Sequence, residues 1–431
     1  MQKYKKTAKQ QTLFTKITKK TLIICIIHSI FIFLHQENVK KMKFIYILKS
    51  FAAKGGEERV MADKMNYLAS HGHEILMVTF EQGEHELAYP LHPSIIHKDI
   101  DTRFFTVTNE SLYKKIRLLI NLRQQFIQRM TGIINQEKPD LLISTVYPLK
   151  NIRLLSKLKR TTGIPFLLES HIAYKAVVRQ SDFKEKSLKY YIAKIYDEWN
   201  LRAIQHCDAL IALTEGDAKN WKRYSDKVEV IPNPVTNIPE QTDIIEKEPY
   251  RIIAVGRLHS QKGFDLLIEA FSLIATRIPN WHIDIYGHGV DEKLLKTLIH
   301  TKKMEGRIIL KGLTDKIFDE YRRSQFFVLS SRYEGFGLVL AEAMACGIPC
   351  VSFRCEYGPE DIIDNGTDGL LVADGNVKEL ADKILWMALH DNERHNMGAK
   401  AQENVKRYNI ENIMISWNSL FCRITTYSSF P

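Results

Sequence analysis

The chain reads as an α/β protein built from two doubly wound parallel-sheet domains that face a cleft. Three features of the sequence predict this. Short apolar strands alternate with amphipathic helices from residue 42 onward, which is the signature of a parallel sheet covered on both faces. The alternation breaks once, at Ile231-Pro232-Asn233-Pro234-Val235 and the charged stretch after it, and then restarts at Arg251-Ile252-Ile253-Ala254-Val255. Glycines and charged residues gather just after strands, and ligands of open parallel sheets bind beyond the carboxyl ends of the strands.

Taken in order, apolar runs predict strands over 43–48, 74–80, 140–146, 165–170, 209–214 and 227–231, with helices near 57–70, 111–136, 149–161, 184–206 and 216–224. These make an N-terminal domain over 42–235. Residues 236–249 read as a linker, polar, charged and proline-bounded. The second domain, 250–409, carries strands at 251–255, 283–286, 308–310, 326–329 and 349–353 and helices from Phe264 and from Asp291. A last helical stretch, Ile410 to Ile424 within 410–431, lies beyond that domain's own elements and is expected to cross back to the first.

The 431 residues, 45% hydrophobic, are enough for two or three separate cores. The formal charge of +11 suggests a nucleic-acid surface only until it is placed along the chain. Nine lysines and one glutamate fall in residues 1–41, accounting for +8 and leaving +3 for the rest, so no nucleic-acid partner is expected. The same segment holds the apolar run Leu22 to Leu34, which as a helix spans roughly 20 Å against a hydrocarbon core of ~30 Å. Two readings of 1–41 stand side by side: an upstream-start artefact ahead of a natural start at Met42, and a tail that touches a membrane. Six cysteines without a Cys-x-x-Cys pair read as reduced thiols of a cytoplasmic protein. Cys346, Cys350 and Cys355 sit in an apolar segment without histidines, so no metal site is expected there.

The chemistry concentrates at residues 330–347, Ser-Ser-Arg-Tyr-Glu-Gly-Phe-Gly-Leu-Val-Leu-Ala-Glu-Ala-Met-Ala-Cys-Gly, between two apolar strands. Gly335 and Gly337 let the loop backbone approach a ligand, and the helix they open is expected to leave the N–H groups of Phe336, Gly337, Leu338 and Val339 free for an anion. Glu334 and Glu342 bracket that turn; Glu342, about one turn inside, can reach a diol beside a bound phosphate. Further candidates follow other strands: Gly55-Gly56 after 43–48, His171 after Phe166 to Ser170, Gly256-Arg257 and Gln261-Lys262-Gly263 after 251–255, and Gly287-His288-Gly289 after Ile283 to Tyr286. None extends to Gly-x-Gly-x-x-Gly, and no Walker lysine motif occurs, which argues against a dinucleotide oxidoreductase or a P-loop enzyme. Gly358-Pro359-Glu360-Asp361 reads either as a loop near a nucleotide or as a helix N-cap.

In this order, Gly55-Gly56-Glu57-Glu58-Arg59, His171, Gly256-Arg257, Gln261-Lys262-Gly263, Tyr286-Gly287-His288-Gly289 and the Glu334 to Glu342 motif resemble glycosyltransferase family 4, whose members are retaining enzymes with the two-Rossmann architecture called GT-B. The resemblance covers residues 42 to about 420. It implies that Arg257 and Lys262 hold the donor diphosphate, that Glu342 binds the ribose hydroxyls and that Glu334 contacts the transferred sugar while Phe336 to Leu338 supply backbone donors. It also implies that His171 sits near the anomeric carbon and that Gly55-Gly56 lets the first domain approach the diphosphate. The expected donor is a nucleotide diphosphate sugar, with uridine favoured through Tyr357-Gly358-Pro359. No cofactor and no metal are expected, since two cations and a helix end can stabilise a departing diphosphate. The acceptor expected is a saccharide, lipid-linked, for surface polysaccharide assembly, because the first domain carries basic amphipathic helices at Lys114 to Arg129 and Lys150 to Arg160 suited to an anionic membrane surface. Rival readings are a nucleotide-sugar epimerase or hydrolase on the same fold, a noncatalytic nucleotide-sugar-binding module, and a transferase acting on a soluble acceptor.

Overall fold

Two parallel sheets organise the chain, each with short inner strands buried on both faces by crossover helices. The structure is a computed structural model that describes residues 41–427 except 108–110, 179–185, 237 and 239–244. Readings of residues 1–40, of half of the linker and of the last four residues therefore lie outside the described residues.

The first sheet has strand order β3-β2-β1-β4-β5-β6-β7. Its elements run β1 (Lys43–Leu48), α1 (Gly56–Ser70), β2 (Glu74–Thr79), β3 (Ile96–Asp99), α2 (Leu112–Glu137), β4 (Leu141–Thr145), α3 (Ile152–Thr162), β5 (Phe166–Glu169), α4 (Tyr174–Val177), α5 (Leu188–Leu201), β6 (Ala209–Ala212), α6 (Glu215–Trp221) and β7 (Val228–Val230). The second sheet has order β10-β9-β8-β11-β12-β13. It is built from β8 (Arg251–Val255), α7 (Phe264–Ile274), β9 (His282–Tyr286), α8 (Glu292–Thr301), β10 (Ile308–Gly312), α9 (Ile317–Arg323), β11 (Phe326–Leu329), α10 (Leu338–Ala345), β12 (Cys350–Phe353), α11 (Pro359–Ile362), β13 (Gly369–Val372), α12 (Val377–Leu389), α13 (Asp391–Asn404) and α14 (Ile410–Tyr427). In both sheets strand order reverses beside the first strand of the domain, the topology that opens a crevice at the carboxyl edge.

Two strands escape the sequence reading, and both are sheet edges. Ile-His-Lys-Asp of β3 is half-exposed and carries no apolar run, while Gly-Leu-Leu-Val of β13 is too short to show a period. The helix expected over 184–206 is α5 followed by a 3-10 turn at Arg202–His206. The helix expected to begin at Phe336 begins two residues later, at Leu338, because Gly337 at its N-cap sits at φ 93°, a left-handed conformation that cannot start a helix. Gly358-Pro359-Glu360-Asp361 resolves as the opening of α11, with Pro359 in its first turn.

Each sheet has its own core. Phe126, Leu142, Leu168, Leu210 and Trp221 fill the first, and Ile252, Phe271, Ile285, Phe326 and Leu380 the second. The last helix lies against the first domain: Phe421 of α14 meets Phe44 of β1 at 4.9 Å between ring centroids, and Trp417 offers its ring face to Lys64 of α1 at 3.5 Å. At the domain junction Val235 and Asn409 form a parallel bridge, so entry to the second domain and exit from it are stitched together.

Candidate active site

The carboxyl edges of the two sheets meet at the loop after β11. Gly335 stands against the backbone after β5: a Cβ built on it would lie 2.7 Å from the His171 carbonyl oxygen, so residue 335 can only be glycine while the domains keep this approach. Gly287 has a comparable constraint inside the second domain. Its φ is 146°, and a Cβ there would fall 1.9 Å from the Gly256 carbonyl oxygen, so the loops after β8 and β9 are locked together.

On the second-domain side, Lys262 Nζ donates to Glu334 Oε1 at 2.7 Å, and Ser331 Oγ donates to the same oxygen at 2.6 Å. Glu334 is buried and the lysine nearly so. A buried carboxylate with two donors is fixed in place, and its second oxygen can still accept from a ligand hydroxyl. Arg257 is exposed, its guanidinium only lightly tethered to Gln261 Oε1 at 3.3 Å. It can swing onto an anion without breaking a strong bond. Gly256 leaves the Lys262 stem room to pass, since a Cβ there would sit 3.1 Å from it. Phe336 is buried and packs edge-on to Tyr408 at 5.2 Å, which pins the loop that precedes α10. The expected anion-binding N–H groups at Leu338 and Val339 do open that helix; those of Phe336 and Gly337 belong to the loop before it.

Glu342 lies one turn into α10, as the spacing requires, but it is not a bare carboxylate. Arg59 Nη1 of α1 donates to its Oε1 at 2.6 Å, and Tyr321 Oη of α9 donates to Oε2 at 3.2 Å. Burial pushes the Glu342 carboxyl up, and Arg59 and Tyr321 pull it back. Arg59 also donates to the Thr236 carbonyl at 3.3 Å, so one guanidinium ties α1, the domain junction and the second domain together. The motif Gly55-Gly56-Glu57-Glu58-Arg59 thus contributes a charge, while a Cβ on Gly56 would meet nothing within 4 Å and one on Gly55 only the Glu58 side chain of the same helix. Gly55 and Gly56 open α1 at the cleft, with Tyr89 Oη donating to the Gly55 carbonyl at 3.2 Å. Burial raises both carboxyls that follow, Glu57 and Glu58, and His171 offsets part of the rise at each.

His171 is more deeply held than a residue at a strand end needs to be. Its ring is only 2% exposed, and Nε2 lies 3.0 Å from Glu169 Oε2. Lys64 Nζ donates to that same oxygen at 2.5 Å, with both side chains at 1% exposure. Burial pushes the Glu169 carboxyl up, but Lys64 and His171 outweigh it and hold the group below the usual carboxylate range. The ring's Nδ1 is buried without a partner among the described residues. Lys64 and Glu169 were not singled out from sequence, though a signal exists: Lys64 falls on the apolar face of α1 with Val60, Met61, Met65 and Leu68, and a lysine there requires a buried partner.

His288 is placed differently from the other candidates. It is exposed, 3.3 Å from Glu292 Oε2 on α8, in the loop after β9 and outside the Lys262–Glu334 cluster. Leu338 and Gly335 are brought to the cleft, as are Gly256, Gly287 and Lys262. The five cysteines among the described residues are free thiols, with burial pushing Cys346 up to about 12. Among the described residues no group of three histidines, cysteines or acids is gathered as a metal site.

Two parallel-sheet domains meeting at a loop that carries paired cations and carboxylates define a GT-B glycosyltransferase. Family models agree: "Glycosyltransferase Family 4" matches residues 54–236 and "Glycosyl transferases group 1" matches 236–404. The chain belongs to glycosyltransferase family 4. It is 26% identical over 390 residues to an uncharacterized glycosyltransferase of Haemophilus influenzae, covering 88% of this chain and 99% of that one. It is 30% identical over 243 residues to the poly(ribitol-phosphate) alpha-N-acetylglucosaminyltransferase of Staphylococcus aureus, a match that takes in 55% of this chain and 46% of that enzyme. The fold is shared with the crystal structure of S. aureus TarM bound to UDP and alpha-GlcNAc-glycerol, at a TM-score of 0.70 and 17% identity over 88% of this chain and 99% of that one.

Proposed function

We propose that this glycosyltransferase moves a hexose-type sugar, with retention and without a metal ion, from a nucleotide diphosphate sugar to a saccharide acceptor, lipid-linked, at the cytoplasmic membrane face during surface polysaccharide synthesis. A uridine donor is favoured. The observation that carries the reading is the Lys262–Glu334 pair, buried at the second sheet's carboxyl edge directly beside the Gly335 contact with His171. The UDP in TarM supports a nucleotide-sugar donor, and the S. aureus relative's name, a poly(ribitol-phosphate) alpha-N-acetylglucosaminyltransferase, supports a polymeric acceptor.

The chemistry follows from charge. Cleaving a sugar–diphosphate bond makes an oxocarbenium-like sugar and a doubly charged leaving group, so the site must attract the second without quenching the first. Arg257 and Lys262 bind the diphosphate through charge-assisted hydrogen bonds worth roughly 1.5–3 kcal/mol each, aided by the N–H groups that open α10. Glu334, held by Lys262 and Ser331, accepts from sugar hydroxyls. Glu342, oriented by Arg59 and Tyr321, accepts from the ribose diol. His171 holds the sugar's far side. With no carboxylate assigned as nucleophile, attack comes from the face that the leaving group departs, and the departing phosphate oxygen takes the acceptor's proton.

A panel of uridine, guanosine and adenosine diphosphate sugars, with nucleotide release followed with and without membrane lipid extract and with chelator, tests this. The expected result is chelator-resistant release from a uridine donor that depends on the extract. Release without acceptor would instead mark a hydrolase or epimerase, and binding without turnover a noncatalytic module.

A further inference from the structure

The first domain leaves a helix face uncovered that its core does not need. On α5, Leu188, Tyr191, Ile192, Ile195 and Trp199 are between 47% and 77% exposed. At 100° per residue they fall within an arc of roughly 100°, one continuous stripe. A stripe of that kind normally faces a core. Here, among the described residues, solvent faces it. The first turns of α2 add Tyr113, Ile116 and Ile120, each more than half exposed.

Charge identifies the occupant. Residues 113–129 of α2 hold five lysines and arginines and no acid, and residues 150–160, leading into and along α3, hold five and no acid. The two acids of α5 do not offset this: Asp197 is buried, and Glu198 is engaged by Arg202 at 3.2 Å and Tyr224 at 3.1 Å. Arg153 of α3 stacks over Trp199 of α5 at 3.6 Å, joining the basic and apolar strips, and Arg123 of α2 lies close enough to depress the Arg153 guanidinium further after burial. Apolar and cationic residues so interleaved fit a surface that is oily inside and anionic outside. No described helix is long and apolar enough to cross a membrane, so the element would lie on the bilayer.

Topology places the patch. α2 and α3 each connect parallel strands and begin at the carboxyl edge, the edge that carries His171. Tyr113, Ile116 and Ile120 and Arg153 lie in the first halves of those helices, and Arg153 donates to the Trp199 carbonyl at 2.9 Å, so the last turn of α5 joins the patch at that edge. We propose that α5, with the opening turns of α2 and α3, docks this domain onto an anionic lipid surface by inserting the Leu188–Trp199 stripe at the rim of the acceptor side of the cleft. The inference deepens the lipid-linked acceptor reading and rests on it for its purpose, though the docking itself can be measured alone.

Flotation with phosphatidylglycerol–phosphatidylcholine vesicles, and with phosphatidylcholine alone, tests the proposal on the full chain. Wild type is expected to float with the anionic vesicles, with Trp199 emission moving to the blue. Ile192→Glu combined with Ile195→Glu, both on the exposed face and so harmless to folding, should lower binding at least ~tenfold. Lys114→Glu combined with Arg117→Glu should weaken binding to the anionic vesicles and reduce its salt dependence. Stripe variants that float like wild type, wild type that never floats, or a dimer in solution that the stripe variants abolish would each overturn the proposal, the last by assigning the face to a second copy. UDP binding without vesicles is measured in parallel by calorimetry. Its absence beside intact flotation would defeat the donor reading and leave the docking surface standing.

Discussion

The two sheet edges that face each other across the cleft solve the problem of charge in opposite ways. The second domain keeps one cation in solvent, since Arg257 is exposed and loosely tethered beside the buried pair in which Lys262 passes Gly256 to reach Glu334. The first domain neutralises its charge internally: Lys64, Glu169 and His171 share one buried oxygen, backed by Trp417 of the last helix. On the function proposed above, the edge that grips a diphosphate keeps a cation available, whereas the edge that stands beside a developing sugar cation keeps its charges compensated. In that proposal the second domain's edge holds the ligand and the first domain's edge holds its own geometry.

The comparison predicts different failures on the two sides. The largest effect belongs to Lys64→Met, which strands a buried carboxylate and should cost ~3–5 kcal/mol of folding stability in denaturant unfolding. Adding Glu169→Gln should restore part of that loss. Lys262→Met leaves Glu334 with Ser331 as its donor and, on the proposed function, takes a cation from the diphosphate, so the variant should fold and yet lose ~100–1,000-fold in turnover. Wild-type turnover in that variant would remove the distinction between the edges. Glu342→Ala should weaken UDP binding by about 2 kcal/mol, roughly thirtyfold, in calorimetry; unchanged affinity would leave Glu342 only as the partner of Arg59. The smallest effect is expected at the opposite, amino edge. Hydrogen bonds from Lys43 and Lys98 hold the Glu137 carboxyl down at about 2. Its contribution to stability is therefore complete above the ordinary carboxylate value and lost as pH falls toward 2. Glu137→Gln should flatten acid unfolding in that window and leave turnover at neutral pH unchanged.

Much of this is legible in the sequence. The strand–helix alternation, the break after Val235 and the glycine-flanked loops placed both sheets and brought Gly256, Lys262, Gly287, Glu334 and Glu342 to the cleft, because apolar periodicity and glycine punctuation are local signals. What escaped depends on distance in space. Arg59 and Glu342 lie 283 residues apart and Lys64 and Glu169 lie 105 apart, and no local pattern pairs them. The start of α10 was misjudged by two residues because the left-handed turn at Gly337 is a backbone choice that a Gly-x-Gly spelling permits but does not dictate. The exposed stripe of α5 was read as an ordinary crossover helix, since an apolar face looks the same in sequence whether a core or solvent lies against it.

UDP affinity of Arg257→Ala and His171→Ala, measured by calorimetry on the folded proteins, tests the division of labour most directly. Arg257→Ala should bind UDP at least ~tenfold more weakly, the worth of one charge-assisted bond, while His171→Ala should bind it as wild type does and fail only in transfer. Wild-type affinity in the arginine variant together with lost affinity in the histidine variant would contradict the account.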